Sequence, residues 1–270
     1  MGRRRPVAGR RIAILLLATA CSALALRAVS PQPAPADQTI NIRGRDQVLH
    51  LYGAHSGTPI IVSSGDGGWI HLGPHVAEVL AAGGFFVIGF DVRAYLESFT
   101  DGTKTLGVED EPGDYARLID FAVRETNRKP ILIGVSEGAG LSVLAATDAA
   151  NRQAIAGVIG LGLCDLTELG WRWRDMAIYV THGMPHEPTF SVKAMVDRLA
   201  PVPLAAIHST RDEFAPLSEV EQILDRAHQP KRLWIVSASN HRFSDNLGEF
   251  DRALIDAVTW VSGVQSRVPK

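Results

Sequence analysis

Six short, almost uninterrupted apolar runs constrain this chain more than any other feature. They are Pro59–Ser63 (PIIVS), Phe85–Phe90 (FFVIGF), Pro130–Gly134 (PILIG), Ala154–Leu163 (AIAGVIGLGL), Pro203–Ile207 (PLAAI) and Leu233–Val236 (LWIV). A strand that alternates apolar and polar residues covers one face of a sheet, whereas a strand apolar throughout is buried on both. Stretches with apolar residues at helical spacing lie between the runs: His71–Ala82, Tyr115–Arg124, Glu137–Ala150, Leu217–Ala227 and Glu249–Val261. The alternation predicts an α/β fold, a mostly parallel sheet with helices on both faces. A hairpin, Thr39–Arg43 with Gln47–Tyr52, opens the series and brings the expected sheet to about eight strands. Residues 38–264 then form one domain, long enough to bury one large core, and 265–270 form a tail.

The first residues follow different rules. Arg3, Arg4, Arg5, Arg10 and Arg11 precede an apolar stretch from Ile12 to Leu26, and Ala23-Leu24-Ala25 offers a small-x-small cleavage site. The stretch is about 15 residues long, the length of a signal-peptide core and short of the roughly 20 that span a bilayer. Residues 1–28 are expected to be a signal peptide, with an N-terminal anchor as the alternative. Either directs the domain outward, to the periplasm in a bacterium. Cys21 follows Leu17-Ala18-Thr19-Ala20, a weak match to a lipoprotein box. Residues 29–37, VSPQPAPAD, form a Pro/Ala linker without periodicity.

Charge narrows the function classes. The whole chain has 27 Lys+Arg and 29 Asp+Glu, a formal charge of −2. Residues 1–28 hold six arginines and no acid, so the domain without them carries −8. No basic excess exists to neutralise phosphates, which excludes a nucleic-acid binder. Two cysteines cannot make a disulfide framework. Cys164, in an apolar run, is expected to be a core residue rather than a nucleophile.

Gly134-Val135-Ser136-Glu137-Gly138 is a G-x-S-x-G sequence that ends a strand and opens a helix, the setting of a nucleophile elbow. A helix N-cap serine would suit the same position. A serine hydroxyl needs a base, and the base needs an orienting acid; on this fold their chain order is Ser, acid, His. Asp212 lies beyond strand PLAAI, with Glu213 as the fallback acid. His241 lies beyond strand LWIV and before the last helix. Ser136, Asp212 and His241 are therefore the expected catalytic residues. Two backbone N–H groups should receive the developing oxyanion: that of Glu137, and that of Asp66 or Gly67 in the glycine-rich loop Ser64–Trp69 (SGDGGW). That loop lacks the lysine and spacing of a phosphate-binding loop.

Segment 165–200 breaks the strand–helix rhythm and holds Trp171, Trp173, Tyr179 and Phe190. It is expected to be a cap over the site, or else an edge element burying its aromatics against the sheet. No metal site is expected. His71/His75 and His182/His186 are spaced i,i+4, but each pair encloses a Gly and a Pro, which spoils a helical face. No cofactor is implied either.

Taken together, residues 38–264 resemble the α/β-hydrolase superfamily. SGDGGW at 64–69, followed by Phe90-Asp91-Val92-Arg93-Ala94-Tyr95, is similar to the VirJ/AcvB-type bacterial virulence proteins, most strongly over residues 60–140. That resemblance implies export to the periplasm. It also implies either hydrolysis of aminoacylated phosphatidylglycerol, a lipid ester, or an accessory role at a membrane surface or in type IV secretion without catalysis. A peptidase or thioesterase would share the same three residues. Two departures stand out: the family's elbow usually has an aromatic after the serine and an Asp after the following Gly-Ala, whereas this chain has Glu137 and Gly140. Trp69, Asp91 and Tyr95 are the expected substrate-binding residues. Asp66 and Glu137 beside the oxyanion position, with Asp91 and Glu97 at its mouth, would favour a cationic substrate group such as a lysyl ester.

Overall fold

The computed structural model describes residues 1–2, 35–173 and 187–265. The chain divides into two units, Met1–Pro31 and Gln32–Lys270, and the second carries the fold described here. The expected signal peptide, Cys21, most of the linker, Tyr179, the His182/His186 pair and the tail from residue 266 lie outside the described residues.

Strands β1 (Ala36–Ile42), β2 (Arg45–Tyr52), β3 (Pro59–Ser63), β4 (Phe86–Phe90), β5 (Ile131–Val135) and β6 (Gly157–Leu161) are followed by a small pair, β7 (Leu166–Glu168) and β8 (Thr189–Ser191). Then come β9 (Leu204–Ser209) and β10 (Lys231–Val236). Eight of them form one sheet in the order β1-β2-β4-β3-β5-β6-β9-β10. The pairs from β4 through β10 are parallel, and β1-β2 and β2-β4 are antiparallel. This is the expected mostly parallel sheet. β1 begins at Ala36, so Ala36 and Asp37 belong to the hairpin rather than to the linker. The edge strands β1 and β10 carry exposed residues, as does β2 beside β1, and β10 carries Lys231 and Arg232, charges that discourage a further strand from adding.

Each central strand sends alternate residues to opposite faces. Ile61 and Leu132 enter one core, while Ile60, Val62, Ile131 and Ile133 enter the other. One face is covered by α1 (Leu72–Ala82) and the last helix, α7 (Leu247–Gln265). The other is covered by α3 (Glu111–Thr126), α4 (Glu137–Thr147) and α6 (Leu217–Arg226). Two helices differ from expectation. α2 (Val92–Phe99) is additional; the Asp91 side chain caps it by accepting from Ala94 N, and Val92, Tyr95 and Leu96 are buried on one face. The helix expected over 137–150 breaks at Asp148, whose extended backbone and carboxylate cap a separate α5 (Ala149–Ala154).

The strand order reverses direction at β3. From β3 the chain crosses to β4 on one side and later to β5 on the other, so the loops leaving the carboxyl ends of β3 and β5 part there and open a crevice.

Candidate functional site

Ser136 sits between β5 and α4 with φ 51° and ψ −116°, a conformation that L-residues rarely adopt. The turn survives because its neighbours lack side chains. A Cβ on Gly134 would overlap the Gly138 carbonyl, and one on Gly138 would overlap the Ser64 carbonyl and sit 2.5 Å from Ser63 O. The Ser136 amide donates to Leu161 O on β6 at 2.9 Å. The result is the sharp strand–turn–helix bend expected of G-x-S-x-G, with the hydroxyl at the end of the sheet and at the start of α4.

Asp212 and His241 meet at the same edge. The loop after β9 carries Asp212, and its Oδ2 lies 2.6 Å from His241 Nδ1. Its Oδ1 accepts from Phe214 N and Ala215 N, each at 2.9 Å. Burial pushes the Asp212 carboxyl up, but the His241 hydrogen bond and charge and the two amides outweigh it, leaving it below the ordinary aspartate value. The Asp212 side chain is also 3.7 Å from Nε2 of His208, a fully buried imidazole whose Nε2 meets Ala215 O at 2.9 Å. Burial lowers the His208 pKa, favouring the neutral ring. Glu213, the fallback acid, instead holds the backbone of the base, its carboxylate accepting from the His241 N–H at 2.7 Å. The His241 ring lies over Gly162, where a Cβ would strike it, and Phe214 packs edge-on at 5.4 Å.

Ser136 and His241, though not Asp212, border a cavity of about 120 Å³, lined also by Glu137, Asp66, Gly67, Cys164 and Glu168. His241 Nε2 is buried and has no hydrogen-bond partner among the described residues, so Ser136 and His241 border one space without being bonded. Gly65 brings the loop after β3 against the elbow: a Cβ there would be 3.4 Å from Ser136 Cβ. Carboxylate oxygens of Asp66, Glu137 and Glu168 lie within 4.8 Å of one another. Burial, then the charge of Asp66, push the Glu137 carboxyl up to about 8; the Ser136 hydroxyl and the Glu137 amide pull it down, and Glu168 pushes it up further. Carboxylates alone, with no imidazole or thiolate among them, are not a specific metal signature. Asp66 and Glu168 give the cavity wall a negative potential, to which Glu137 adds only as the pH rises past about 8.

Several expectations are corrected. Trp69, Asp91 and Tyr95 do not line the cavity. Trp69 instead packs on Gly89 of β4, stacks on His50 at 5.1 Å and donates from Nε1 to the Tyr52 hydroxyl at 3.3 Å. Asp91 is committed to capping α2 and to accepting from Trp69 N at 3.2 Å. Tyr95 is fully buried, its hydroxyl donating to Asp114 Oδ2 at 2.6 Å. Cys164 borders the cavity rather than the core; burial raises its thiol pKa well above the ordinary value, so the thiol stays protonated. His75 is drawn off by Asp251 at 2.7 Å, so of this pair only His71 borders the cavity. Within 165–200, β7 pairs with β8 outside the main sheet. Trp171 is buried beneath the Arg93 guanidinium at 3.9 Å, whereas Trp173 is exposed. Glu168 is the site residue that sequence reasoning missed, because a three-residue strand in an aperiodic segment leaves no local signal.

The family described as "Bacterial virulence protein (VirJ)" matches residues 58–258. YfhR, an uncharacterized protein of Escherichia coli O157:H7, is 26% identical over 171 residues. That stretch is 62% of this chain and 58% of YfhR, so the chain spans less than two thirds of that relative's length. Among solved structures, a hydrolase from Pseudomonas aeruginosa PA01 superposes with a TM-score of 0.64 at 16% identity, over 82% of this chain and 98% of that one. Est1E from Butyrivibrio proteoclasticus superposes with a TM-score of 0.63 at 14% identity, over 84% and 99%. At such identities the likeness is one of fold, that of the α/β-hydrolases. Since the family match covers well over half of its length, this chain belongs to the bacterial virulence protein (VirJ) family.

Proposed function

We propose that this chain is a serine hydrolase of carboxylic esters acting through Ser136, His241 and Asp212. One observation carries the reading: a 2.6 Å Asp212–His241 pair whose buried, unpartnered Nε2 opens on the cavity that Ser136 lines. Ser136 Oγ adds to the ester carbonyl carbon as its proton passes to His241 Nε2, and Asp212 holds the ring and stabilises the imidazolium. The N–H groups of Glu137 and of Asp66 or Gly67 receive the carbonyl oxygen as it gains charge. The carbonyl–oxygen bond to the alcohol breaks, and the alcohol leaves with the proton from His241. Water, giving its proton to His241, then attacks the acyl carbon. The bond to Oγ breaks, His241 returns a proton to Ser136, and a carboxylic acid departs.

Charge refines the substrate class. Asp66 and Glu168 put negative charge on the wall beside Ser136, joined by Glu137 as the pH rises past about 8, which favours a cationic group close to the scissile carbonyl. An aminoacyl ester carries one there, and a lysyl ester of phosphatidylglycerol carries two. On this reading the domain acts on a small-molecule or lipid ester after export to the periplasm, which fractionation of cells expressing the full chain would test.

A non-catalytic binding or secretion-accessory protein is the second reading, favoured by the unmade Ser136–His241 bond. Labelling with a fluorophosphonate separates the two. Wild type should label and Ser136→Ala should not; equal failure of both removes the enzyme reading. For the substrate class, lysyl esters should outpace uncharged acyl esters at low salt, and the advantage should shrink as salt screens the wall. Equal rates at both ionic strengths would defeat it.

A further inference from the structure

Glu137 brings a carboxylate to the place that an ester would have to occupy. Its Oε2 lies 3.5 Å from the backbone nitrogen of Asp66. The same cavity wall carries Ser136 and His241, and a Cβ on Gly65 of the loop after β3 would lie 3.9 Å from the same Oε2. The Asp66 amide is one of the groups that the hydrolase reading assigns to the oxyanion. The side chain thus competes with substrate for an oxyanion donor.

We propose that Glu137 is an internal occupant of the oxyanion position that holds the ligand-free site self-blocked until substrate displaces it. The proposal rests on the serine-hydrolase reading of the same site. Release needs a second place for the carboxylate to go, and a cation on the substrate provides one.

The groups facing Glu137 decide how the block depends on pH. Asp66 faces it from the loop after β3, and Glu168 from β7. The cavity wall adds Cys164 after β6, His71 at the start of α1, and His241 with Arg242 after β10. Burial and the two carboxylates favour the protonated acid, so the ionised, strongly accepting form grows in only as the pH passes about 8. The ionised form also places a negative charge beside the developing oxyanion, which acts in the same direction. The block therefore tightens toward alkaline pH.

The test is the second-order rate of Ser136 labelling by an uncharged fluorophosphonate, followed from about pH 6 to 10, for the full chain and its Glu137→Gln and Glu137→Ala variants. Wild type should lose rate above about pH 8. Both variants should lose that alkaline fall and label about ten-fold faster than wild type, the scale of one charge-assisted hydrogen bond no longer displaced. If wild type labels and neither variant is faster or flatter, the self-block is wrong and the hydrolase reading stands. Should none of the three label, both are wrong. Should the variants fail to fold, the wild-type profile decides alone: a rate that stays flat above about pH 8 overturns the proposal.

Discussion

Replacing Gly138 by alanine adds one methyl group where the elbow touches the loop after β3. The new Cβ would overlap the Ser64 carbonyl oxygen and lie 2.5 Å from Ser63 O and 2.9 Å from Ser63 C. All three are backbone atoms, so no side chain can rotate away. Restoring ordinary contact at about 3.4 Å requires the loop and the start of α4 to part by roughly 1 Å. Overpacking of this kind costs about 1–3 kcal/mol, which in a domain this size lowers Tm by roughly 3–10 °C. The same displacement carries Asp66 away from Glu137, so the two proposed oxyanion donors no longer converge. A 1 Å error in such geometry costs about 100-fold in rate. Thermal unfolding and fluorophosphonate labelling measure the two effects separately. Gly113→Ala is the control. A Cβ there meets nothing within 4 Å, on an exposed position of α3, and the change should be neutral or stabilise by up to about 1 kcal/mol. If Gly138→Ala keeps wild-type Tm and a labelling rate within about two-fold, backbone contact at this glycine does not hold the elbow and the loop in register.

Three further outcomes are expected. Asp212→Asn should leave the fold intact but reduce kcat by about 1,000- to 10,000-fold, because an amide no longer holds His241 in the tautomer that leaves Nε2 basic. In the same variant one acid-labile contribution to stability disappears: the Asp212 pKa is lowered on folding, so in wild type that contribution is present above the unfolded value and is lost as pH falls through the folded one. Tyr95→Phe removes the 2.6 Å bond to Asp114 and should cost about 1.5–3 kcal/mol in urea unfolding. It should leave KM unchanged, and a shifted KM would contradict the burial of Tyr95 away from the cavity. Glu111 is fully buried with neither carboxylate oxygen partnered, and burial followed by the charge of Asp114 raises its pKa well above the usual value. Its contribution favours folding at low pH and is lost as pH rises past the ordinary Glu range. Urea midpoints should therefore fall with rising pH in wild type and flatten in Glu111→Gln.

Much of this molecule is legible in the chain because its signals are local. PIIVS is a strand over the expected residues, since three consecutive β-branched apolar residues bounded by Pro59 and the Ser63–Gly68 turn formers have few other solutions. Gly134 and Gly138 announce the elbow because backbone crowding there tolerates nothing larger. Asp212 and His241 are legible as loop residues after strands, a property of topology rather than of contact. The errors share one cause, which is that spacing does not say where a side chain points. Asp91 is expected at a mouth, although Asp followed by Val, Tyr and Leu at helical spacing is an N-cap signature. Trp69 follows three glycines in a loop, but its partner is Gly89, a gap in a distant strand that only strand pairing brings beneath it. Glu168 reaches the site through a pairing of β7 with β8 across more than twenty residues, and nothing in its neighbours foretells it.

The packing of Trp69 into the gap at Gly89 has a thermodynamic consequence for Ser64–Trp69. Free in solution, a stretch with three glycines samples more conformations than almost any other, and fixing each residue costs about 1–2 kcal/mol of entropy. Here the indole is bolted to the sheet and its amide is tied to Asp91, so that disorder is surrendered once, when the domain folds. If the site acts as proposed, its donors are aimed before the ester arrives, and binding energy from the ligand need not be spent on immobilising the loop.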